Sequence, residues 1–142
     1  MRPVIGVYHV ALKILLRKGN RFLFLRESIE KRWDLPGGRI DRDEGKTPLE
    51  KIIEREVREE LGPYIRYKLG KLVLQYRRFV GERKVPVFLN VYEARYISGA
   101  LRLSPEHTSY HWIEPGKIRL KEKDFLSKEE YLTFKNYFRT FV

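Results

Sequence analysis

Apolar residues recur along this chain at two spacings, and the spacing assigns the elements. Val4 to Leu16 is a largely apolar run broken by His9 and Lys13 that gives way to Arg17, Lys18 and the turn pair Gly19-Asn20, so it reads as a first strand entering a hairpin. Arg21 to Arg26, built around Phe22, Leu23, Phe24 and Leu25, returns antiparallel to it. Leu69 to Val80 and Lys84 to Tyr96 read as two long strands joined near Gly81-Glu82, and His111 to Ile113 as a short further strand. Ser127 caps a closing helix over Lys128 to Phe141, where Tyr131, Leu132, Phe134, Lys135 and Phe138 fall at helical spacing. Strands before and after a central helix, with a second helix at the end, predict an α+β fold in a single domain over residues 1–142.

The central helix carries the most information. Thr47 is placed to cap it, Pro48 suits the first helical position, Glu50 completes a Thr-x-x-Glu capping box, and Gly62-Pro63 ends it. At about 100° per residue, Leu49, Ile53, Val57 and Leu61 form one apolar stripe, with Lys51, Glu54 and Arg58 opposite. Glu60 projects between Leu49 and Ile53 on the core side, where a carboxylate is costly unless neutralised, paired or bound to a metal. Glu56, Glu59 and Glu60 stand at i, i+3 and i+4, so like charges crowd one patch. Surface ion pairs, Arg55 with Glu59 and Glu54 with Arg58, explain part of this composition but neither Glu60 nor the segment before the helix. That segment, Trp33-Asp34-Leu35-Pro36-Gly37-Gly38, has the makeup of a tight turn in which backbone amides approach an anion.

With Gly38, Glu44 and the run Arg55-Glu56-Val57-Arg58-Glu59-Glu60-Leu61-Gly62, the chain resembles the Nudix hydrolases, whose signature places these types at fixed spacings. Two positions depart from it: ten residues instead of seven separate Glu44 from Arg55, and Pro63 stands where an aliphatic residue is usual. The extra three residues are assigned to the loop before Thr47, so Glu44 is an additional acid whose place in the signature is open. The resemblance implies a mixed sheet between helices, Glu56 and Glu60 as the main metal ligands, and Glu59 as either a ligand or the base acting on water. It also implies that Arg55 orients these glutamates and that Gly37, Gly38 and the adjoining Arg39 contact substrate.

The chemistry gives the pattern its reason. Bringing water to a phosphorus surrounded by anionic oxygens requires charge screening and a lowered water pKa, both of which a divalent cation supplies. Magnesium, with manganese as a substitute, suits an all-oxygen carboxylate patch, and no His or Cys cluster suggests zinc. Beyond the signature, Glu106 in Ser104-Pro105-Glu106-His107 is the candidate for a further acid on a loop facing the metals. His107 reads as exposed or structurally hydrogen-bonded in preference to a phosphate ligand, and Trp33, Tyr76, Phe79 and Tyr92 mostly as core, with at most one stacking a base.

Charge and composition add modest constraints. A net charge of +11 over 142 residues attracts polyphosphates or nucleic acid alike, and the basic residues are dispersed (Arg17-Lys18, Lys31-Arg32, Arg77-Arg78, Arg83-Lys84) instead of forming an arm. Cysteine is absent, Met1 is the only methionine and Gln75 the only glutamine, while 35% of residues are charged, a thermophile-like balance. The sequence fits a cytoplasmic protein without a membrane span and is compatible with a homodimer. The leading functional expectation is Mg-dependent cleavage of a nucleoside diphosphate linked to X, first among them (d)NTPs including oxidised ones. ADP-ribose or dinucleoside polyphosphates follow, and a non-cutting module that binds nucleotide or RNA is the alternative of another class.

Overall fold

The computed structural model describes residues 2–79 and 85–141. Its elements are β1 (His9–Lys18), β2 (Arg21–Glu27), β3 (Trp33–Asp34), β4 (Gly37–Arg39), α1 (Leu49–Leu61), β5 (Arg66–Arg78), β6 (Val87–Ser98), β7 (His107–Ile113) and α2 (Lys128–Arg139). The strands form one sheet in the order β3-β2-β1-β6-β5, with β4 added to β1 and β7 to β2. The β1–β6 pair is parallel and the others are antiparallel, so the sheet is mixed, as expected of the α+β reading.

What positions the site is a split in this sheet. β1 pairs with β2 only at Arg17 and Lys18, while its first half pairs with β4, Ala11 opposite Arg39 and Lys13 opposite Gly37. β2 correspondingly pairs with β3 through Leu25 and Arg26, and β7 lines its other edge. Residues Trp33 to Arg39 are therefore wedged between two diverging strands, pinned by the Ile14 amide donating to the Pro36 carbonyl at 2.9 Å. The segment expected as a plain turn is thus two short strands, too brief for periodicity to reveal.

Both sheet faces are covered, which explains why every residue from Ala11 to Leu16 except Lys13 is apolar. Leu12, Ile14 and Leu16 pack with Ile52, Ile53, Val57 and Leu61 of α1, whereas Ala11, Leu15, Phe24 and Leu89 pack with Phe134 and Phe138 of α2. The second core is aromatic, with Phe24 5.3 Å from Phe134 and 5.8 Å from Trp33, edge to face. Ser127 caps α2 as expected, accepting from the Glu130 amide at 3.2 Å.

Several boundaries differ from expectation. The first strand begins at His9, and Val4, Ile5 and Val7 are exposed. The last strand starts at His107 because it pairs with β2 along its length. The join near Gly81-Glu82 and the strand ends at Val80 and Lys84 lie outside the described residues. α1 starts at Leu49, one residue late, with Pro48, not Thr47, in the cap position and no side-chain cap; the Pro48 carbonyl accepts the first helical bonds, from the Lys51 and Ile52 amides at 2.9 and 3.2 Å. Leu49 is 48% exposed, and Ile52 takes its place in the stripe. Leu132 of α2 is likewise exposed. Among the described residues no helix is long and apolar enough to cross a membrane.

Candidate active site

The buried face of α1 carries two acids. Glu56 and Glu60 are 9% and 6% exposed among Ile52, Ile53, Val57 and Leu61, whereas Glu59 is turned outward. Their burial is possible because the first two residues of the facing strand β4 are glycines. The Gly37 amide donates to Glu60 Oε2 at 3.2 Å, and the Glu56 carboxylate lies where a methyl on Gly38 would stand. Gly37 itself has φ +132°, and a side chain there would strike the Leu12 carbonyl. The anion that the glycine segment approaches is therefore the protein's own glutamate.

Arg55 organises the outer half of the patch. Its Nε and Nη2 donate to Glu44 Oε2 and Oε1 at 2.8 and 2.5 Å; Nη2 also meets Glu56 at 2.9 Å, and Nη1 meets Glu59 at 3.2 Å. Glu44 further accepts from the Asp41 amide at 2.9 Å. Bonding to Arg55 and Asp41 holds the Glu44 carboxyl below the ordinary value; Glu44 anchors the arginine and is not among the residues lining the adjoining cavity. The expected three-carboxylate patch is thus divided: Glu56 and Glu60 face inward, and Glu59 pairs with Arg55. Among the described residues no three acidic or imidazole groups already converge into a cage for an ion.

A second set of charges lies beneath, and sequence reading missed it. Lys13, on the α2 face of β1, donates to the carbonyls of Leu35 and Gly37, each at 3.1 Å, and meets Asp34 at 3.4 Å. The ammonium therefore staples the wedge to the sheet. Arg78 reaches Asp34 at 3.3 Å and holds Glu130 of α2 through two bonds of 2.7 and 3.2 Å. His107 Nε2 lies 3.3 Å from Asp34, and its Nδ1, which has no hydrogen-bond partner, lies 4.0 Å from Glu60. The structurally bonded reading of His107 is the one realised.

These surroundings set the protonation. Burial alone would raise the Asp34 carboxyl, yet Lys13, Arg78 and His107 together hold it far below the usual range. Burial pushes Glu60 up to about 7 against the pull of Lys13, with the Asp34 charge adding to the rise. Burial also raises Glu56, with Arg55 opposing. Carboxylates buried with too little positive charge around them are suited to a cation, and an all-oxygen pair suits a hard divalent ion. Such an ion is usually held by only one or two protein carboxylates, so a ready-made three-acid cage is not required.

The acids open into a cavity of about 460 Å3. Gly38, Arg39, Arg55 and Glu59 line it together with Glu106 from the loop before β7, and Ala11, Val87, Leu89 and Leu126 give it apolar surface. Arg39 is exposed there, 3.2 Å from His9 Nδ1. The candidate stacking residues sort differently: Trp33 and Tyr76 are core, Tyr92 packs on the α1 side, and Phe79 is 62% exposed.

The NUDIX domain model matches residues 7–134. A MutT-like protein of Streptomyces ambofaciens is 30% identical over 105 residues, which cover 74% of this chain and 62% of that protein. The crystal structure of a MutT protein from Methanosarcina mazei Go1 is 28% identical with a TM-score of 0.71, the likeness covering 98% of this chain and 96% of that one. An ADP-ribose pyrophosphatase from Streptococcus suis 89-1591 is similar in fold alone, at 15% identity, a TM-score of 0.64 and coverage of 93% and 90%.

Proposed function

Because the chain belongs to the Nudix hydrolase family, we propose that it is a magnesium-dependent pyrophosphohydrolase that splits a nucleoside diphosphate linked to X into a nucleoside monophosphate and phosphorylated X. The observation that carries this reading is the pair of buried acids, Glu56 and Glu60, set against bare glycine backbone at the wall of a cavity. Glu56 and Glu60 would hold the divalent ion, with Glu59 as a further ligand or as the base. When bound, such an ion screens phosphate charge and lowers the pKa of water.

The protein's own groups divide the remaining work. Arg55 keeps Glu56 and Glu59 oriented, itself fixed by Glu44. Lys13 holds the Leu35 and Gly37 carbonyls, so the Gly37 amide keeps its place against Glu60. Arg39 and Glu106 both line the cavity; Arg39 would meet substrate phosphate, and Glu106 would take a proton or steer water. The cavity has the size of a small-molecule site, compatible with a nucleotide, and (d)NTPs, including oxidised ones, are the first substrates to test.

The test is a panel of NTPs, oxidised NTPs, ADP-ribose, nucleotide sugars and dinucleoside polyphosphates incubated with magnesium, with products separated by chromatography. Release of a nucleoside monophosphate from NTPs in preference to the rest supports the reading; cleavage of ADP-ribose or dinucleoside polyphosphates first would reassign X. Salt-sensitive RNA binding without hydrolysis of any nucleotide would replace it by the non-cutting module.

Two variants probe individual roles. Glu106→Gln is expected to lower kcat about tenfold or more and to flatten one limb of the pH-rate profile, leaving metal affinity unchanged. An unaltered rate and profile would remove Glu106 from catalysis. Gly38→Ala places a methyl against the mobile end of Glu56, not against backbone, so the protein should fold while the carboxylate is displaced. Turnover should fall roughly ten- to a hundredfold with little change in melting temperature; full turnover would show that the Glu56 position is immaterial.

A further inference from the structure

Like charges meet at the end of the sheet away from the acidic cavity. On β1, four residues beyond Lys13 or roughly 13 Å along the strand, Arg17 stands directly opposite Arg95 of β6, and Arg95 stands directly opposite Lys68 of β5. Three cations thus form one row across three adjacent strands, on the α2 side of the sheet and all exposed. Directly opposed like charges destabilise a sheet. None of the three makes a salt bridge among the described residues.

Arg17 is held in place, and a hollow lies beside the row. Arg17 Nε donates to the Gly19 carbonyl at 2.6 Å, and its guanidinium lies over the rings of Phe22 and Phe141 at 5.5 and 5.2 Å. The hollow, about 520 Å3, is lined by the three cations together with Gly19, Leu69, Gly70, Glu93 and Ala94. Glu93, the one acid there, lies over bare Gly70, where a methyl would collide with its side chain; against three cations it leaves the hollow with a net positive charge. No aromatic ring lines the hollow, so nothing in it would stack a base. Strands spaced about 4.8 Å apart give three positive groups over roughly 10 Å, a run suited to successive phosphates.

We propose that the Arg17, Arg95 and Lys68 row binds a linear chain of phosphate groups, either inorganic polyphosphate or the backbone of single-stranded RNA, at a site separate from the acidic cavity. Phosphate oxygens bridging adjacent strands would relieve the repulsion that the bare sheet carries. The site recognises charge and spacing, not base identity.

Fluorescence anisotropy of a labelled single-stranded RNA, and its displacement by inorganic polyphosphate, test this with divalent ions chelated. The Arg95→Gln/Lys68→Gln variant should bind about tenfold more weakly at low salt, and the slope of log K against log salt should shrink by about 1.4, from roughly 0.7 per lost contact. Arg95→Lys/Lys68→Arg keeps the charges and should bind as the parent does. Displacement by polyphosphate assigns the site to phosphate chains in general; weakened RNA binding in the glutamine variant without displacement assigns it to the RNA backbone. Unchanged affinity and slope in the glutamine variant, or failure of the parent to bind either probe, would overturn the proposal. The readout is binding without turnover, so it stands or falls independently of the hydrolytic reading.

Discussion

Glu60→Gln is expected to lower turnover by about 10²- to 10⁴-fold while raising the melting temperature of the metal-free protein. Glutamine keeps the shape of the side chain and can still accept from the Gly37 amide, so packing among Ile53, Val57 and Leu61 is preserved. What it removes is a charge that burial makes costly. The folded carboxyl titrates at about 7 against an ordinary 4.5, so between these values the folded state holds a proton that the unfolded chain has released. Stability therefore falls as pH rises through this window. The loss is complete above the folded value and amounts to about 3 kcal/mol at most.

The glutamine variant escapes that loss. Its melting temperature should match the parent near pH 4.5 and exceed it increasingly up to about pH 7. Added magnesium should narrow the gap by stabilising only the parent. Melting curves across pH, with and without the ion, check this; a variant that is less stable than the parent at neutral pH, or that turns over normally, contradicts it. Glu59→Gln should lower turnover in the same direction without the stability gain, because its side chain is already largely exposed.

Removing Arg78 should have the largest effect on stability. Its guanidinium is the partner of Glu130, whose side chain is 1% exposed, and it shares Asp34 with Lys13 and His107. Burial already raises the Glu130 carboxyl, with Arg78 as the main opposing influence. Arg78→Met leaves that acid without its counter-charge and should cost about 3–5 kcal/mol, lowering the melting temperature by about 10 °C or more. Pairing it with Glu130→Leu removes both halves of the bridge and should recover most of the loss. Urea denaturation of the single and double variants measures both. A single variant within about 1 kcal/mol of the parent would mean the network contributes little to the fold.

Helix α1 and its acids were legible in the sequence because their signals are local. The spacing of Ile53, Val57, Glu60 and Leu61 and the glycine stop needed no tertiary information, and Gly62 does adopt φ +91°. Its start was less so, because Pro48, not Thr47, occupies the cap position and no side chain caps the helix.

In the sequence alone the buried charges have the look of interruptions or surface pairs. Lys13 looked like a break in an apolar run, yet its i±2 neighbours Ala11 and Leu15 are core residues on the same face. Arg77-Arg78 looked like one basic surface pair, but strand alternation separates them. Arg78 follows Leu74 and Tyr76 inward, while Arg77 faces out to Glu129. That alternation was available from sequence and could have singled out Arg78. The wedge of Trp33 to Arg39 was not available, since strands of two and three residues are defined only by the register of β1 and β2 around them.

The most direct test of whether Glu56 and Glu60 hold the divalent ion is anomalous diffraction from crystals soaked in manganese. The expected result is a peak within coordination distance of carboxylate oxygens of both residues, lost in the Glu56→Gln/Glu60→Gln variant. No peak there, with Glu56 still held by Arg55 and Glu60 by the Gly37 amide, would contradict the proposed enzyme chemistry.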